Sequence, residues 1–133
     1  MGFLKEFYGW RNSGKNYDRV LGKEIVALGV ENDVLSIFFI DGDWIKFSDE
    51  GQSCCEHRYM NTDDDLCYHI GSKFLNARKE RGPMESEDEY GCVQTEFLLI
   101  DTSCGTFTVC NYNKHNGYYG GFSVQVAVNP EFE

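Results

Sequence analysis

Arg58 is a residue whose type and surroundings suggest ligand binding. It lies a few residues before the acidic run Asp63-Asp64-Asp65. Arginine presents a planar fork of N–H donors that fits a phosphate or a carboxylate group. Two hypotheses follow: either Arg58 binds a phosphate of a ligand, or it forms a salt bridge with the neighbouring acidic residues. The sequence leaves both open.

Cysteine and histidine occur close together at two places, where they could bind zinc or form a thiol nucleophile. Cys54 and Cys55 precede His57, while Cys67 and His69 are two residues apart. The chain has no Cys-x-x-Cys pair, and on a helix Cys67 and His69 would point about 200° apart. No further part of a nucleophile signature is present, nor is a glycine-rich phosphate loop. We therefore expect no metal site, no catalytic residue and no enzyme activity.

The stretch from residue 101 to residue 128 contains two runs that alternate apolar with polar or small residues. This period of two is typical of strands with one buried face. Asn116-Gly117 lies between the runs and favours a reversal, so the pattern predicts an antiparallel hairpin. Tyr118 and Tyr119 follow at once, with two more glycines. Such tyrosines either bind a flat ligand or cap the core.

The preceding part of the chain predicts the elements that must position these residues. In the first half, Ile25, Ala27 and Gly29 are expected on one face of a strand, and turns at 31–33 and 41–43 separate three antiparallel strands. In the second half, the acidic run suits the first turn of a helix. The predicted strands are 22–30, 34–40, 44–47, 73–81 and 93–100, the helix is 63–70, and 82–91 is expected to be a mobile acidic loop.

These elements predict an α+β fold, with a small antiparallel sheet of about five to seven strands and one short helix. The length of 133 residues fits one domain, with 1–20 as an N-terminal extension and 21–128 as the core. No apolar run is long enough to cross a membrane, and the N-terminus does not resemble a signal peptide. We expect a cytoplasmic protein whose cysteines are reduced.

The formal net charge is −10, from 22 acidic and 12 basic residues. This charge disfavours nonspecific binding of nucleic acid, which requires a basic surface. A small phosphate-bearing ligand remains compatible with the composition, because a few cations and backbone amides suffice to bind it. An alternative function is that of an acidic protein that inhibits a basic host protein by direct binding, using the acidic residues at 85–89.

Several motifs in the same order resemble a family of small phage and bacterial proteins. They are Cys54-Cys55-Glu56, the acidic stretch that ends at Ile70-Gly71, and Asn116-Gly117-Tyr118-Tyr119, and the resemblance spans residues 21–128. The pattern is also similar to that of the phage Thoeris anti-defence sponge proteins. This resemblance implies a phage protein, in the cytoplasm of an infected bacterium, that sequesters a cyclic ADP-ribose-type signal or a cyclic oligonucleotide without cleaving it.

The resemblance also implies a ligand site and an assembly, and it implies no cofactor. Arg58 and backbone amides would take the phosphates, and Phe97 or Tyr118 would stack on an adenine face. Many members have Arg-Trp where this chain has Cys110-Asn111, which removes one cation. A homodimer or larger even-numbered assembly would enclose the ligand, with Phe97 and Arg58 drawn from different chains and with the N-terminus and 122–128 as contact surfaces. The full set of expected ligand-binding residues is Arg58, Phe97, Asn111, Asn116, Tyr118 and Gln125.

Overall fold

The computed structural model describes residues 17–52, 56–88, 91–116 and 120–132, and this part of the chain is almost entirely β. Eight strands form two antiparallel sheets of four strands each, and the described helices are short 3-10 turns. The predicted α+β class is therefore wrong, and the predicted strand number is too low. The strands are β1 (Ile25–Glu31), β2 (Val34–Phe39), β3 (Trp44–Asp49), β4 (Glu56–Asn61), β5 (Phe74–Asp88), β6 (Gly91–Thr102), β7 (Gly105–His115) and β8 (Val124–Val128).

The first sheet has the order β1-β2-β3-β8 and contains the predicted meander. Its two turns match the sequence signals, since Asn32 and Asp33 adopt positive φ values of 53° and 62° and Gly42 has a φ of 92°. A β-bulge between Ile25 and Ala27 changes which side chains of β1 point towards the core. Ile25 is buried whereas Ala27 is exposed, so the prediction that these residues share one face is wrong.

The second sheet has the order β4-β7-β6-β5 and contains the longest strands. Segment 82–88, predicted as a mobile loop, continues β5 and pairs with the first residues of β6. Gly82 and Pro83 do not end the strand, because they fall at an irregularity between Arg81 and Met84 where the ladder shifts register. Edge strands tolerate proline and glycine at such positions.

The predicted helix at 63–70 is only a 3-10 turn, Leu66–His69. The acidic residues do cap backbone amides: Asp65 accepts from Cys67 N, and Asp64 accepts from Thr108 N of β7 at 2.7 Å. Asp64 therefore ties the segment to a strand. Ile70 already has extended dihedral angles, so the turn ends after four residues.

The expected hairpin within 101–128 is also wrong. β7 pairs with β4 and β6 in the second sheet, whereas β8 pairs with β3 in the first sheet. The chain between them therefore crosses from one sheet to the other. Alternation correctly indicated two strands, but it carries no information about which strand each one pairs with.

One hydrophobic core joins the inner faces of the two sheets. It includes Val124, Val126 and Val128, so the last strand does not offer the apolar contact surface that the sequence suggested. The end of the predicted N-terminal extension also belongs to it, because Tyr17 and Val20 are buried. Arg19 fixes this end through a 3.0 Å contact with the fully buried Asp43. None of the described helices is long and apolar enough to span a membrane.

Candidate functional site

The outer face of the second sheet carries a recess of about 560 Å³ above β6. Its floor is Thr95, which lies opposite Tyr112 of β7 in the strand register. Because alternate residues of a strand share a face, Val93 and Phe97 lie on the same side as Thr95. All four strands of the sheet contribute to the lining, which consists of Tyr59, Pro83, Glu85, Val93, Thr95, Phe97 and Tyr112.

Two tyrosines form one wall of this recess. Tyr59 and Tyr112 are direct cross-strand partners, and their rings stack with centroids 4.8 Å apart and planes 19° apart. Neighbouring strands are themselves about 4.8 Å apart, so the two rings stack along the direction that runs from strand to strand. The next position in that direction is Thr95, whose side chain is too short to continue the stack. The stack of rings therefore stops at Tyr112, and the position above Thr95 is an open gap within the recess.

Phe97 borders the same gap from β6 and is held in place by glycine. A Cβ atom built on Gly82 would lie 2.9 Å from Cε2 of Phe97, closer than real side chains approach. The ring of Phe97 therefore lies directly against the backbone of β5. Glycine at this position lets an aromatic side chain pack flat on the strand.

The titratable groups of the described lining are one carboxylate and two tyrosine hydroxyls. Burial, together with the neighbouring Cys110, raises the pKa of the Tyr112 hydroxyl, so this group stays neutral at physiological pH. Glu85 is the charged residue of the lining. The neighbouring row of the same face contains Lys114, which pairs with Val93 in the register and is exposed. A cation is therefore next to the recess rather than in it.

Arg58 lies on the opposite, inner face of the sheet, in a cluster of buried charges. Its guanidinium contacts Asp49 of β3 at 2.9 Å and Glu56 of β4 at 3.0 Å. Its side chain is 8% exposed. Burial by itself would lower the pKa of Arg58, but the hydrogen bond that Arg58 donates to Glu56 and the charge of Asp49 outweigh it and raise that pKa. The contacts match neither sequence hypothesis, because Arg58 joins the two sheets and does not contact the run at 63–65.

Two asparagines of β7 extend this inner cluster. Asn113 donates from Nδ2 to Glu56 at 2.9 Å and to the carbonyl oxygen of Gly121 at 3.0 Å. Asn111 is 1% exposed, and in the described part of the chain neither Nδ2 nor Oδ1 of its side-chain amide has a hydrogen-bond partner. An unpaired buried amide costs about 1–3 kcal/mol. Asn111 therefore weakens the core locally.

The structure separates the residues that the sequence grouped as one site. Phe97 lies in the outer recess, whereas Arg58 and Asn111 lie on the inner face of the same sheet. Gln125 belongs to the first sheet, where it pairs with Ser48 and donates to Ser123. Asn116 is exposed at the end of β7. Tyr118 lies outside the described residues.

Tyr59 and Tyr112 line the recess, although neither is among the ligand-binding residues expected from the sequence. Each occupies an alternate position between inward-facing residues, so its direction away from the core could have been inferred from alternation. Their pairing could not, because they are far apart in sequence and meet only through the β4–β7 ladder.

The metal and thiol alternatives gain no support from the geometry. Within the described ranges, no group of three or more histidine, cysteine or acidic residues is arranged to hold a metal ion. Cys54 and Cys55 lie outside those ranges. A cysteine–histidine contact does occur, since Cys92 Sγ is 3.5 Å from Nδ1 and 3.4 Å from Nε2 of His115. Near-equal distances place the sulfur over the ring rather than on the axis of either nitrogen, which is not the geometry of a nucleophile and its base.

Comparison with known proteins gives one match. No curated protein matches the chain, and no solved structure matches it. A family model described as a domain of unknown function, DUF7448, matches residues 18–125. This span contains all eight strands except the last residues of β8, and it includes both the outer recess and the inner cluster. The chain therefore belongs to the DUF7448 family.

Proposed function

We propose that this protein binds a cyclic nucleotide immune signal and sequesters it without cleaving it. The observation that supports this proposal best is the interrupted stack of rings in the outer recess. A base inserted above Thr95 would lie against Tyr112 and take the third place after Tyr59 and Tyr112. Stacking of one base on an aromatic side chain contributes roughly 1–3 kcal/mol.

Sequestration, rather than catalysis, agrees with the chemistry of the lining. A sponge requires affinity and slow release, and it gains nothing from groups that stabilise a transition state. The described lining offers three aromatic rings, a valine, a threonine, a proline and one carboxylate. We propose a binding protein and not an enzyme. Its action in the cytoplasm of an infected bacterial cell, where it would block a nucleotide-dependent defence, is what the resemblance to the sponge proteins implies.

The phosphates of such a ligand would lie at the rim of the recess. Arg58 is not assigned to them, because it is engaged by Asp49 and Glu56 on the other side of the sheet. Lys114 is on the correct face and in the adjacent row. Binding through Lys114 should weaken as salt concentration rises, since exposed charges are screened.

Retention of intact ligand is the direct test. The protein is incubated with cyclic ADP-ribose isomers and cyclic oligonucleotides, separated from free ligand, and then denatured by heat. We expect intact ligand to be released. A cleaved product would instead identify an enzyme, and absence of any retained compound would refute the proposed function.

We also propose that the protein is a homodimer or a larger even-numbered assembly. The recess is open on one side, and a second subunit would supply a further wall. Exposed apolar side chains on the described surface include Phe38, Ile40 and Met84, and Ile40 and Met84 are more than 60% exposed. Light scattering at micromolar concentration measures the mass. The mass of a single chain would contradict this part of the proposal.

A further inference from the structure

We infer, building on the binding function proposed above and narrowing its ligand to guanine-containing cyclic oligonucleotides rather than cyclic ADP-ribose, that the recess selects a ring with two adjacent N–H donors, as in guanine, over an adenine ring. The lining contains one carboxylate, Glu85, which comes from β5. It lies opposite Val93 on the outer face of the sheet, one row from Thr95. A ring stacked on Tyr112 above Thr95 therefore turns one edge towards this carboxylate.

An ionised carboxylate only accepts hydrogen bonds. Guanine offers it two parallel donors, the ring N1–H and the 2-amino group, and paired hydrogen bonds to a carboxylate are both strong and specific in direction. Adenine presents a ring nitrogen lone pair beside its amino group on the corresponding edge. That lone pair repels a carboxylate oxygen, so only one favourable contact forms.

The rest of the lining does not reverse this preference. Thr95 can donate or accept, and Phe97 and Tyr112 stack on any base. Among the lining residues that the structure describes, there is no lysine or arginine to bind the acceptor-rich edge of guanine or the ring nitrogen of adenine. The carboxylate is therefore the group that distinguishes the bases.

Three mononucleotides that carry the same phosphate test this inference: GMP, IMP and AMP. IMP keeps the N1–H of guanine and lacks the 2-amino group. We expect calorimetric affinities in the order GMP, IMP, AMP. The substitution Glu85→Gln should weaken GMP binding by about tenfold and strengthen AMP binding, because the glutamine amide offers an acceptor to the 6-amino group of adenine and a donor to its ring nitrogen.

Glu80→Gln is the matched control. Glu80 is an exposed glutamate of the same strand, opposite Phe97, and it is not part of the lining. The Glu80→Gln substitution removes the same charge as Glu85→Gln, so a general electrostatic effect on binding would appear in both variants. Three outcomes would each overturn the inference. The unsubstituted protein could bind the three nucleotides with equal affinity, it could bind AMP more tightly than GMP, or Glu85→Gln could leave GMP binding unchanged. Failure of all three to bind at millimolar concentration would also overturn it, while the retention experiment with cyclic nucleotides decides separately whether the proposed function stands.

Discussion

In part of the second sheet, the usual arrangement of apolar side chains inside and polar side chains outside is reversed. The outer face presents the rings of Tyr59, Tyr112 and Phe97 around a recess, while the inner face buries Arg58 among carboxylates. Exposed rings leave apolar area in contact with water, and buried charges lose hydration. The buried charges are compensated within the protein, whereas the rings stay partly exposed at the surface. On this difference we base the proposal that the inner cluster stabilises the fold and the outer recess binds the ligand.

The largest expected effect is on the inner face. Replacing Arg58 with alanine leaves Asp49 and Glu56 buried without their cation, and breaking a buried pair in this way costs about 3–5 kcal/mol. We expect the free energy of unfolding in urea to fall by that amount. Ligand binding measured below the unfolding transition should change little, because Arg58 does not reach the recess.

Arg58→Met separates loss of charge pairing from loss of packing in the same position. It keeps an unbranched side chain but leaves the same two carboxylates without their cation, so it should be nearly as unstable as Arg58→Ala. A folded Arg58→Met protein of normal stability that no longer retains ligand would reverse the assignment of the two faces.

On the outer face, Tyr112→Ala and Phe97→Ala should act on binding. Each removes one ring of the recess, and we expect a loss of roughly 1–3 kcal/mol in binding free energy. Both side chains are only partly buried, so the loss of stability should be smaller than that of Arg58→Ala. Isothermal titration with the retained ligand gives the first quantity and urea unfolding gives the second.

Tyr68→Ala is the control for general loss of an aromatic ring. Tyr68 is 66% exposed and lies outside the recess. Its removal should leave affinity unchanged. If Tyr68→Ala weakens binding as much as Tyr112→Ala does, then the recess is not the site.

Replacing Asn111 should change the free energy of unfolding by less than Arg58→Ala does, and in the opposite direction. Its unpaired amide is buried, so Asn111→Leu replaces an uncompensated polar group by an apolar one of similar size. We expect stability to be unchanged or to rise by up to about 2 kcal/mol, with binding unaffected. Asn113→Leu should instead destabilise the protein by about 1–3 kcal/mol, because the amide of Asn113 is hydrogen-bonded to Glu56 and Gly121. Loss of ligand retention in Asn111→Leu would restore Asn111 to the site that the sequence predicted.

The same contrast explains how much the sequence could reveal. Local patterns correctly predicted the β1–β2–β3 meander and its turns, because Asn32, Asp33 and Gly42 specify their backbone locally. They failed for the chain after β7, where pairing depends on contacts between distant segments. The alternation of β7 does not reveal that Tyr112 meets Tyr59 and Thr95, because those partners lie on distant strands. The grouping of Arg58 and Phe97 in one ligand site comes from the family resemblance, and within one chain the two residues lie on opposite faces of the sheet.

The smallest expected effect comes from an ion pair on the outer face, which isolates the role of burial. Arg78 contacts Asp101 at 3.1 Å, and its side chain is 43% exposed. The hydrogen bond from Arg78 lowers the pKa of Asp101 in the folded protein. This pair therefore contributes stability that is present above the unfolded pKa of about 3.9 and is lost as the pH falls through the folded pKa.

Because an exposed pair is worth about 0–1 kcal/mol, Arg78→Gln should lower the free energy of unfolding by no more than that at pH 7. The difference from the unsubstituted protein should shrink as the pH falls below about 3.9. Urea unfolding at a series of pH values measures both quantities. A cost as large as that of Arg58→Ala would show that burial does not separate the two faces.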